Sequence, residues 1–264
     1  MSTVVTTRAG AVATVTLDRP QAMNAMDLAT KQALLEALRE VAADESVRAV
    51  VLTGTGRAFS VGQDLREHVA DLQRAATADF ELGDTVRDHY NPIVTLLATM
   101  PKPVVAAVNG VAAGAGASFA CACDLRLMAA GGGFNTAFAG IGLSCDSGAS
   151  WWLPRLVGLA RATELLMLPR TVGADEALAI GLVHRVVPDG ELAVAAAELA
   201  SSLAAGPTLA YAAIKDAVRF SQTHDLSASL EHESELMGLT GRSADHRGAV
   251  EAFVAKTPPT FTGR

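Results

Sequence analysis

Two glycine-rich turns, each placed between a short apolar run and a helix start, constrain the fold of this chain most. They are residues 58–65 (AFSVGQDL) and residues 109–116 (NGVAAGAG). Glycine lets the backbone turn sharply and lets a ligand approach it closely. Unpaired N–H groups at a helix start can bind an anionic oxygen. Two ordinary strand-to-helix turns also fit the spacing, but if the turns converge, their N–H groups would form an oxyanion hole.

The rest of the chain alternates apolar β-branched runs with helical patterns, which predicts an α/β core. Five such runs predict strands, at residues 11–17, 47–53, 104–108, 125–128 and 183–187. Apolar spacing predicts helices at 27–42, 90–99, 116–123 and 147–157, two alanine-rich helices around Gly206-Pro207, and a last helix from Ser243 to Lys256. Residues 62–78 predict a loop or an exposed helix. Helices dominate the last third, which predicts a C-terminal helical lobe.

Composition excludes several classes of protein. Half of the 264 residues are hydrophobic, which excludes a disordered chain. The net charge of −7 argues against a nucleic acid or an anionic membrane surface as partner. Residues 103–123 carry no charge and are long enough to span a membrane. Their proline and glycines favour a strand, a turn and a helix instead, so we expect no membrane segment.

The cysteines and the N-terminus indicate a cytoplasmic protein. Cys121, Cys123 and Cys145 have no disulfide or zinc spacing and are interpreted as packing residues in a reducing compartment. A catalytic thiol at Cys145 is the less favoured alternative. The first ten residues, MSTVVTTRAG, lack the pattern of a secretory signal.

Five stretches, in order along the chain, carry a resemblance to a known family. They are LDRPQAMNAM, RAFSVGQDL, PKPVVAAVNGVAAGAGASFACACDLRL, FAGIGLSCDSGASWWLPRLVG and AFVAKTPPTFTGR. The sequence resembles the crotonase superfamily, the enoyl-CoA hydratase/isomerase group. The resemblance implies the crotonase (ClpP-like) fold, a spiral of ββα units over residues 1–205 with a helical trimerisation lobe over residues 206–264. It also implies a homotrimer or a dimer of trimers.

The resemblance implies an acyl-CoA thioester as substrate, with coenzyme A arriving as part of it and no further cofactor or metal. The thioester oxygen would bind between the N–H groups of Val61 and Ala115. Contacts to the CoA part would come from both turns and from basic or aromatic residues elsewhere: Ser60, Gly62, Asp64, Gly114, Arg19, Lys102, Lys256 and Phe253, the last from a neighbouring subunit. Asp64 as a helix cap, and the basic residues as solvated side chains, are the ordinary alternatives.

The positions of the family's two hydratase glutamates are Ser118 and Phe138 in this chain. Neither side chain transfers protons as a carboxylate does, so hydration by paired glutamates is put in doubt. Asp146 is the remaining carboxylate in the region, where the resemblance places the aspartate of double-bond and ring-epoxide isomerases. A helix N-cap is its alternative role. Ser118, Phe138 and Trp151 would line the acyl pocket.

These residues predict an enzyme that isomerises an unsaturated or ring-derived enoyl-CoA through a thioester enolate. Asp146 would shuttle the proton, and a desolvated carboxyl with a raised pKa suits that task. The blocks VNGVAAGAGAS, YNPIV and LTGRSAD are most similar to the ring-epoxide isomerase group of phenylacetyl-CoA breakdown. Three alternatives stay open: an enoyl-CoA hydratase, an enzyme with Asp146 as nucleophile, and a non-catalytic acyl-CoA-binding subunit.

Overall fold

A computed structural model describes residues 2–76 and 81–264 of the chain. Its strands are β1 Val4–Ala9, β2 Val12–Leu17, β3 Ala49–Gly54, β4 Ala58–Ser60, β5 Val104–Val108, β6 Val111–Ala113, β7 Leu125–Ala129, β8 Gly133–Asn135, β9 Val172–Gly173 and β10 Arg185–Val187. Its α-helices are α1 Leu28–Ala43, α2 Leu65–Ala75, α3 Leu82–Thr85, α4 Asn91–Thr99, α5 Ala115–Ala122, α6 Ala149–Val157, α7 Leu159–Met167, α8 Ala174–Ala179, α9 Leu192–Ala205, α10 Thr208–Ser221, α11 Leu226–Gly241 and α12 Ala244–Ala255. A π-helical turn, Val86–Tyr90, leads directly into α4.

The strands form two sheets, and the chain passes between them repeatedly. The larger sheet has the order β1-β2-β3-β5-β7-β10 and the smaller one β4-β6-β8-β9. The neighbours from β2 to β10 run parallel, whereas β1 is antiparallel to β2. The pairs β3–β4, β5–β6 and β7–β8 each place one strand in either sheet before the next helix. This is the spiral of ββα units that the resemblance implied.

The larger sheet buries both of its faces, which explains its continuous apolar strands. In β3, Val50 and Leu52 belong to the main core with α1, α4 and α5. Ala49 and Val51 point to the opposite face and pack with α9. Successive strand residues face opposite sides, so one short strand supplies both cores. The main core lies directly beneath the two glycine-rich turns.

Several predicted boundaries are confirmed. Asp27 caps α1, since its Oδ1 accepts a hydrogen bond from Thr30 N at 2.8 Å. Ser243 caps α12 in the same way, by accepting from His246 N at 3.0 Å. Strand β5 has the predicted bounds, and Gly206-Pro207 separates α9 from α10.

Other predictions need correction. Strand β1 was not predicted, although it pairs with β2 along its whole length. Strand β6 lies inside the segment predicted as a turn, because three residues are too few to show a period. Of the predicted loop or helix at residues 62–78, α2 forms the middle part, and residues 77–78 lie outside the described part of the chain.

The uncharged stretch at residues 103–123 folds as β5, β6 and α5, as predicted. Over the described ranges, no individual helix has both the length and the apolar character needed to cross a membrane. Helices α9 and α10 meet that test only as a pair bent by 102°. All three cysteines are free thiols, and burial raises the pKa of Cys121 to about 11 and that of Cys123 to about 12.

Candidate active site

The two glycine-rich turns lie against each other in the structure. Gly62 has φ +82°, and a Cβ there would come within 3.0 Å of Ala113 O and 3.1 Å of Ala115 N. A Cβ at Gly116 would collide with Ser60 O. Only glycine tolerates these conformations and approaches. The convergence that an oxyanion hole requires is therefore present.

The two predicted oxyanion donors are not equivalent. Ala115 is the first residue of α5, and its N–H donates to no residue that the structure describes. Val61 N–H donates to Met23 O at 3.2 Å, the long end of the normal range. Met23 and Asn24 both have left-handed backbones, with φ of 52° and 55°. This turn directs the Met23 carbonyl at the N–H of Val61. Of the two predicted donors, only Ala115 therefore has the expected unpaired N–H.

Asn24, which the sequence analysis missed, holds the first turn in place. The residue is buried; its Oδ1 accepts from Arg19 N at 2.8 Å, and its Nδ2 donates to Thr55 O at 2.9 Å and Ala58 O at 2.7 Å. Ser60 Oγ donates to Asn24 O at 2.8 Å, and Ser60 is fully buried. The prediction that Ser60 contacts substrate is therefore wrong, since its hydroxyl serves the loop.

A groove of about 570 Å³ lies between residues 19–27 and residues 61–67, and Val61 lines it. Arg19 and Asp64, both predicted on the CoA side, line it too. Arg19 is already paired, at 3.2 Å with Asp27 and 3.1 Å with Asp64. Asp64 caps α2 by accepting from Arg66 N at 3.0 Å, which confirms its interpretation as a cap. Arg66 is exposed on the same groove, makes no ion pair with any described residue, and was not predicted.

The remaining residues predicted for the nucleotide end lie elsewhere. Lys102 is 4% exposed, and its Nζ donates to Val41 O and Asp44 O, both at 2.9 Å. It stabilises the C-terminal carbonyls of α1, so the predicted phosphate contact is wrong. Phe253, at the end of α12, is 83% exposed, and Lys256 follows it on the surface. Their contact with CoA in a neighbouring subunit stays a prediction.

Asp146 does not act as a helix cap. The N-cap of α6 is Gly148, and no side chain caps that helix. The Asp146 carboxyl accepts one hydrogen bond at Oδ1, from Ser147 Oγ at 2.7 Å. Burial raises the pKa of Asp146, and the Ser147 hydroxyl offsets part of that rise. The N-cap alternative is therefore wrong. A half-buried carboxyl whose pKa is raised suits proton transfer near neutral pH.

Ser118 and Phe138 line a narrow apolar cavity, and Gly114 lines it too. The space open to a water-sized sphere is about 20 Å³, enough for about one water molecule. Ser118 Oγ donates at 3.3 Å to Gly114 O and at 3.4 Å to Asp146 O. The hydroxyl thus ties α5 to the Asp146 loop.

Trp151 does not line that cavity. Its ring is covered by the Arg155 guanidinium, whose Cζ lies 3.5 Å from the ring centroid. The neighbouring Trp152 packs against the main core. The cavity wall is formed instead by Ala149 and Leu153 of the same helix.

A buried polar cluster behind the first turn was also missed. Lys31 is 1% exposed, and its Nζ donates to Gln63 Oε1 at 3.2 Å, Glu67 Oε1 at 2.8 Å and Thr85 Oγ1 at 2.9 Å. Tyr90 OH donates to Gln63 Oε1 at 2.5 Å. Gln63 is two residues from Val61, so the cluster anchors the turn that carries this predicted donor.

The sequence does contain a signal for this cluster. Lys31 falls on the apolar stripe of α1, three residues before Leu34 and seven before Leu38. A lysine at such a position has to be buried with its own partners.

Tyr90 stays a neutral hydrogen-bond donor near Asp146. Burial is the main cause that raises the pKa of Tyr90 well above its usual value, and the charge of Asp146 is the second.

Comparisons with known proteins identify the family of this chain. A family model described as "Enoyl-CoA hydratase/isomerase" matches residues 7–264. The chain is 42% identical to 1,2-epoxyphenylacetyl-CoA isomerase of Escherichia coli (strain K12), over 96% of this chain and 95% of the relative. It is 43% identical, with the same coverage, to a protein of Rhodobacter capsulatus named "Probable enoyl-CoA hydratase".

The fold comparison agrees as well. A Mycobacterium abscessus crystal structure that is named for the enoyl-CoA hydratase/isomerase class superposes with a TM-score of 0.93 at 44% identity. The match covers 99% of this chain and 100% of that one. The chain therefore belongs to the enoyl-CoA hydratase/isomerase family of the crotonase superfamily, whose enzymes act on CoA thioesters.

Proposed function

We propose that the protein isomerises an unsaturated or ring-derived enoyl-CoA, with Asp146 as the group that moves the proton. One observation carries this proposal. Asp146 is a half-buried carboxyl of raised pKa, and its main-chain carbonyl accepts from Ser118 of α5. The resemblance places the two hydratase glutamates at the positions of Ser118 and Phe138, which have no carboxyl group. The name of the Escherichia coli relative, 1,2-epoxyphenylacetyl-CoA isomerase, supports the same class of reaction.

The reaction follows from the positions of these groups. The thioester oxygen accepts hydrogen bonds from Ala115 N–H and from Val61 N–H, which exchanges its bond to Met23 O for the substrate. The Asp146 carboxylate takes a proton from the α or γ carbon, and the C–H electron pair moves into the thioester as an enolate. Hydrogen bonds to the oxygen stabilise that charge. Asp146 then returns the proton to the other carbon, which regenerates the carboxylate and gives an isomer of the substrate.

Residues 118 and 138 carry no carboxylate that could catalyse hydration. A hydratase must activate a water molecule and protonate the substrate, whereas Ser118 donates its hydroxyl proton to main-chain carbonyls and Phe138 has no polar atom. Loss of one acid/base group lowers a rate by roughly 10²–10⁴. A hydratase remains the second candidate because the Rhodobacter capsulatus relative carries that name.

We further propose assembly as a homotrimer or a dimer of trimers through the C-terminal helices. Exposed apolar residues on α12, including Phe253 and Val254 at 83% and 77% exposure, support this. Exposed apolar patches of that kind are typical of protein interfaces.

A substrate panel tests the proposed reaction. Purified protein is given crotonyl-CoA and a series of 3-enoyl-CoA thioesters, and products are identified by mass and by absorbance. We expect double-bond migration in a 3-enoyl-CoA and very slow hydration of crotonyl-CoA. Hydration faster than isomerisation would favour the hydratase, loss of the acyl group or of a halide would favour Asp146 as nucleophile, and tight binding without turnover would favour a non-catalytic subunit.

A further inference from the structure

The residue that follows Asp146 adopts a backbone conformation that serine rarely takes. Ser147 has φ +51° and is 1% exposed, and Gly148 continues in the left-handed region at φ +78°. For an L-residue with a Cβ this region is sterically unfavourable, whereas glycine adopts it without strain. Strained positions persist where the surrounding structure holds them, and they cluster at functional sites.

Among the residues that the structure describes, the Ser147 side chain hydrogen-bonds only to Asp146. Its Oγ donates to Asp146 Oδ1 at 2.7 Å, while Asp146 Oδ2 accepts from no residue in the part of the chain that the structure describes. The main chain of Asp146 is held as well, since its carbonyl accepts from Ala149 N at 2.9 Å and from Ser118 Oγ at 3.4 Å. The two carboxyl oxygens are therefore unequal, one fixed and one open.

We propose that Ser147 is a positioning residue for Asp146: its hydroxyl holds Oδ1 and leaves Oδ2 as the oxygen that takes and returns the substrate proton. The inference rests on the proposed function above. The substrate C–H proton passes to Oδ2, and the electron pair of that bond enters the enolate. Oδ1 is then the carbonyl oxygen of a neutral acid and still accepts from Ser147. When the proton moves on to the other carbon, the carboxylate returns in the same orientation.

The surroundings of Asp146 make this hydroxyl its main stabilising contact. Tyr90, from the π-helical turn, is the titratable group whose pKa responds to the Asp146 charge, and it stays neutral. Helix α5 contributes Ser118 there, which is uncharged, and α6 has no charged residue in its first turn. Without the Ser147 hydroxyl, burial alone would act on the Asp146 pKa, which would rise further.

Two variants separate the hydroxyl from the strained backbone. Ser147→Ala keeps the Cβ and loses the hydroxyl; Ser147→Gly loses both the hydroxyl and the strain. Each is compared with wild type on the 3-enoyl-CoA that wild type isomerises fastest, across a pH series. We expect kcat to fall by about 10- to 100-fold in both variants, since a misplaced catalytic group lowers rates on that scale. KM should change little, and the acidic limb of the pH profile should move to higher pH.

A purely structural role for Ser147 predicts different results. In that case Ser147→Gly, which relieves the strain, would have wild-type kcat and an unshifted acidic limb, and this result would overturn the proposal. If Ser147→Ala fails to fold, the Gly variant alone decides in the same way. Asp146→Asn is assayed in parallel. Loss of activity there together with normal Ser147 variants refutes only the positioning role, whereas full activity of Asp146→Asn refutes the proposed reaction itself.

Discussion

Replacing Ala115 by proline tests the oxyanion donor without breaking a hydrogen bond of the fold. Ala115 is the first residue of α5, and its N–H has no partner among the residues described. Proline is well tolerated at the first helical position, because the N–H that it removes is unpaired there. The variant loses one donor to the thioester oxygen, and its added ring carbons also disturb the tightly packed helix start, so its stability has to be measured beside its activity.

The expected loss follows from measured oxyanion donors in other enzymes. Removing one donor lowers kcat by roughly 10²–10³, or about 2.7–4 kcal/mol in the activation free energy. We expect Val61 N–H to contribute less than Ala115 N–H, because it has to exchange the 3.2 Å bond to Met23 O. Steady-state kinetics on a 3-enoyl-CoA thioester measures the loss, and thermal unfolding checks the fold.

Ala115→Gly is the matched control, since it keeps the N–H and changes only the side chain. We expect its kcat to stay close to that of wild type. Equal damage in the proline and glycine variants would show that the turn acts through packing rather than donation. Wild-type kcat in a folded Ala115→Pro variant would refute the donor assignment outright.

Three further predictions follow from buried ionisable groups. Lys31→Met leaves Glu67 without its 2.8 Å partner and should lower the free energy of unfolding by about 3 kcal/mol in urea titrations; a loss well below about 1 kcal/mol would contradict the buried cluster. Burial alone would raise the pKa of Asp245, but hydrogen bonds from Thr262 and Gly263 lower it. The ionised Asp245 carboxylate therefore stabilises the fold fully above the ordinary Asp pKa of about 3.9, and this stabilisation is lost as pH falls through the lower pKa of the folded state. The free energies of unfolding of wild type and Asp245→Asn, measured across acidic pH, should therefore converge only at low pH. Because burial raises the pKa of Asp146, kcat/KM should fall on acidification with an apparent pKa above about 3.9; a pH-independent rate would argue against a carboxylate base.

Sequence patterns reveal those parts of the fold whose residues act locally. The cap at Asp27, the apolar run of β5 and the break at Gly206-Pro207 each depend on a few neighbouring residues, and all three are confirmed. Strand β6 could not be predicted in the same way, since its three residues owe their conformation to β4 and β8 on either side. Tertiary pairing decides such short strands, and a single sequence does not show it.

The same limit applies to the candidate site. Glycines at the two turns indicate their convergence, because only glycine permits that approach. The partners of individual polar groups depend on contacts far apart in the chain. The sequence indicates a surface lysine at residue 102, whereas the structure buries Lys102 against the carbonyls at the end of α1. Ser147 shows no signal at all in the sequence, since neither its positive φ nor its bond to Asp146 follows from residue type.

Proton exchange in deuterated water tests the central claim, that Asp146 moves the proton, most directly. Wild type, Asp146→Asn and Asp225→Asn are incubated with an acyl-CoA substrate, and deuterium at the α and γ carbons is followed by mass spectrometry or NMR. Asp225 caps α11 on the surface by accepting from Ala228 N at 2.9 Å, and asparagine caps equally well. We expect exchange by wild type and Asp225→Asn, and exchange slower by orders of magnitude in a folded Asp146→Asn that still binds the thioester. Exchange at the wild-type rate in Asp146→Asn would contradict the proton-transfer role of Asp146.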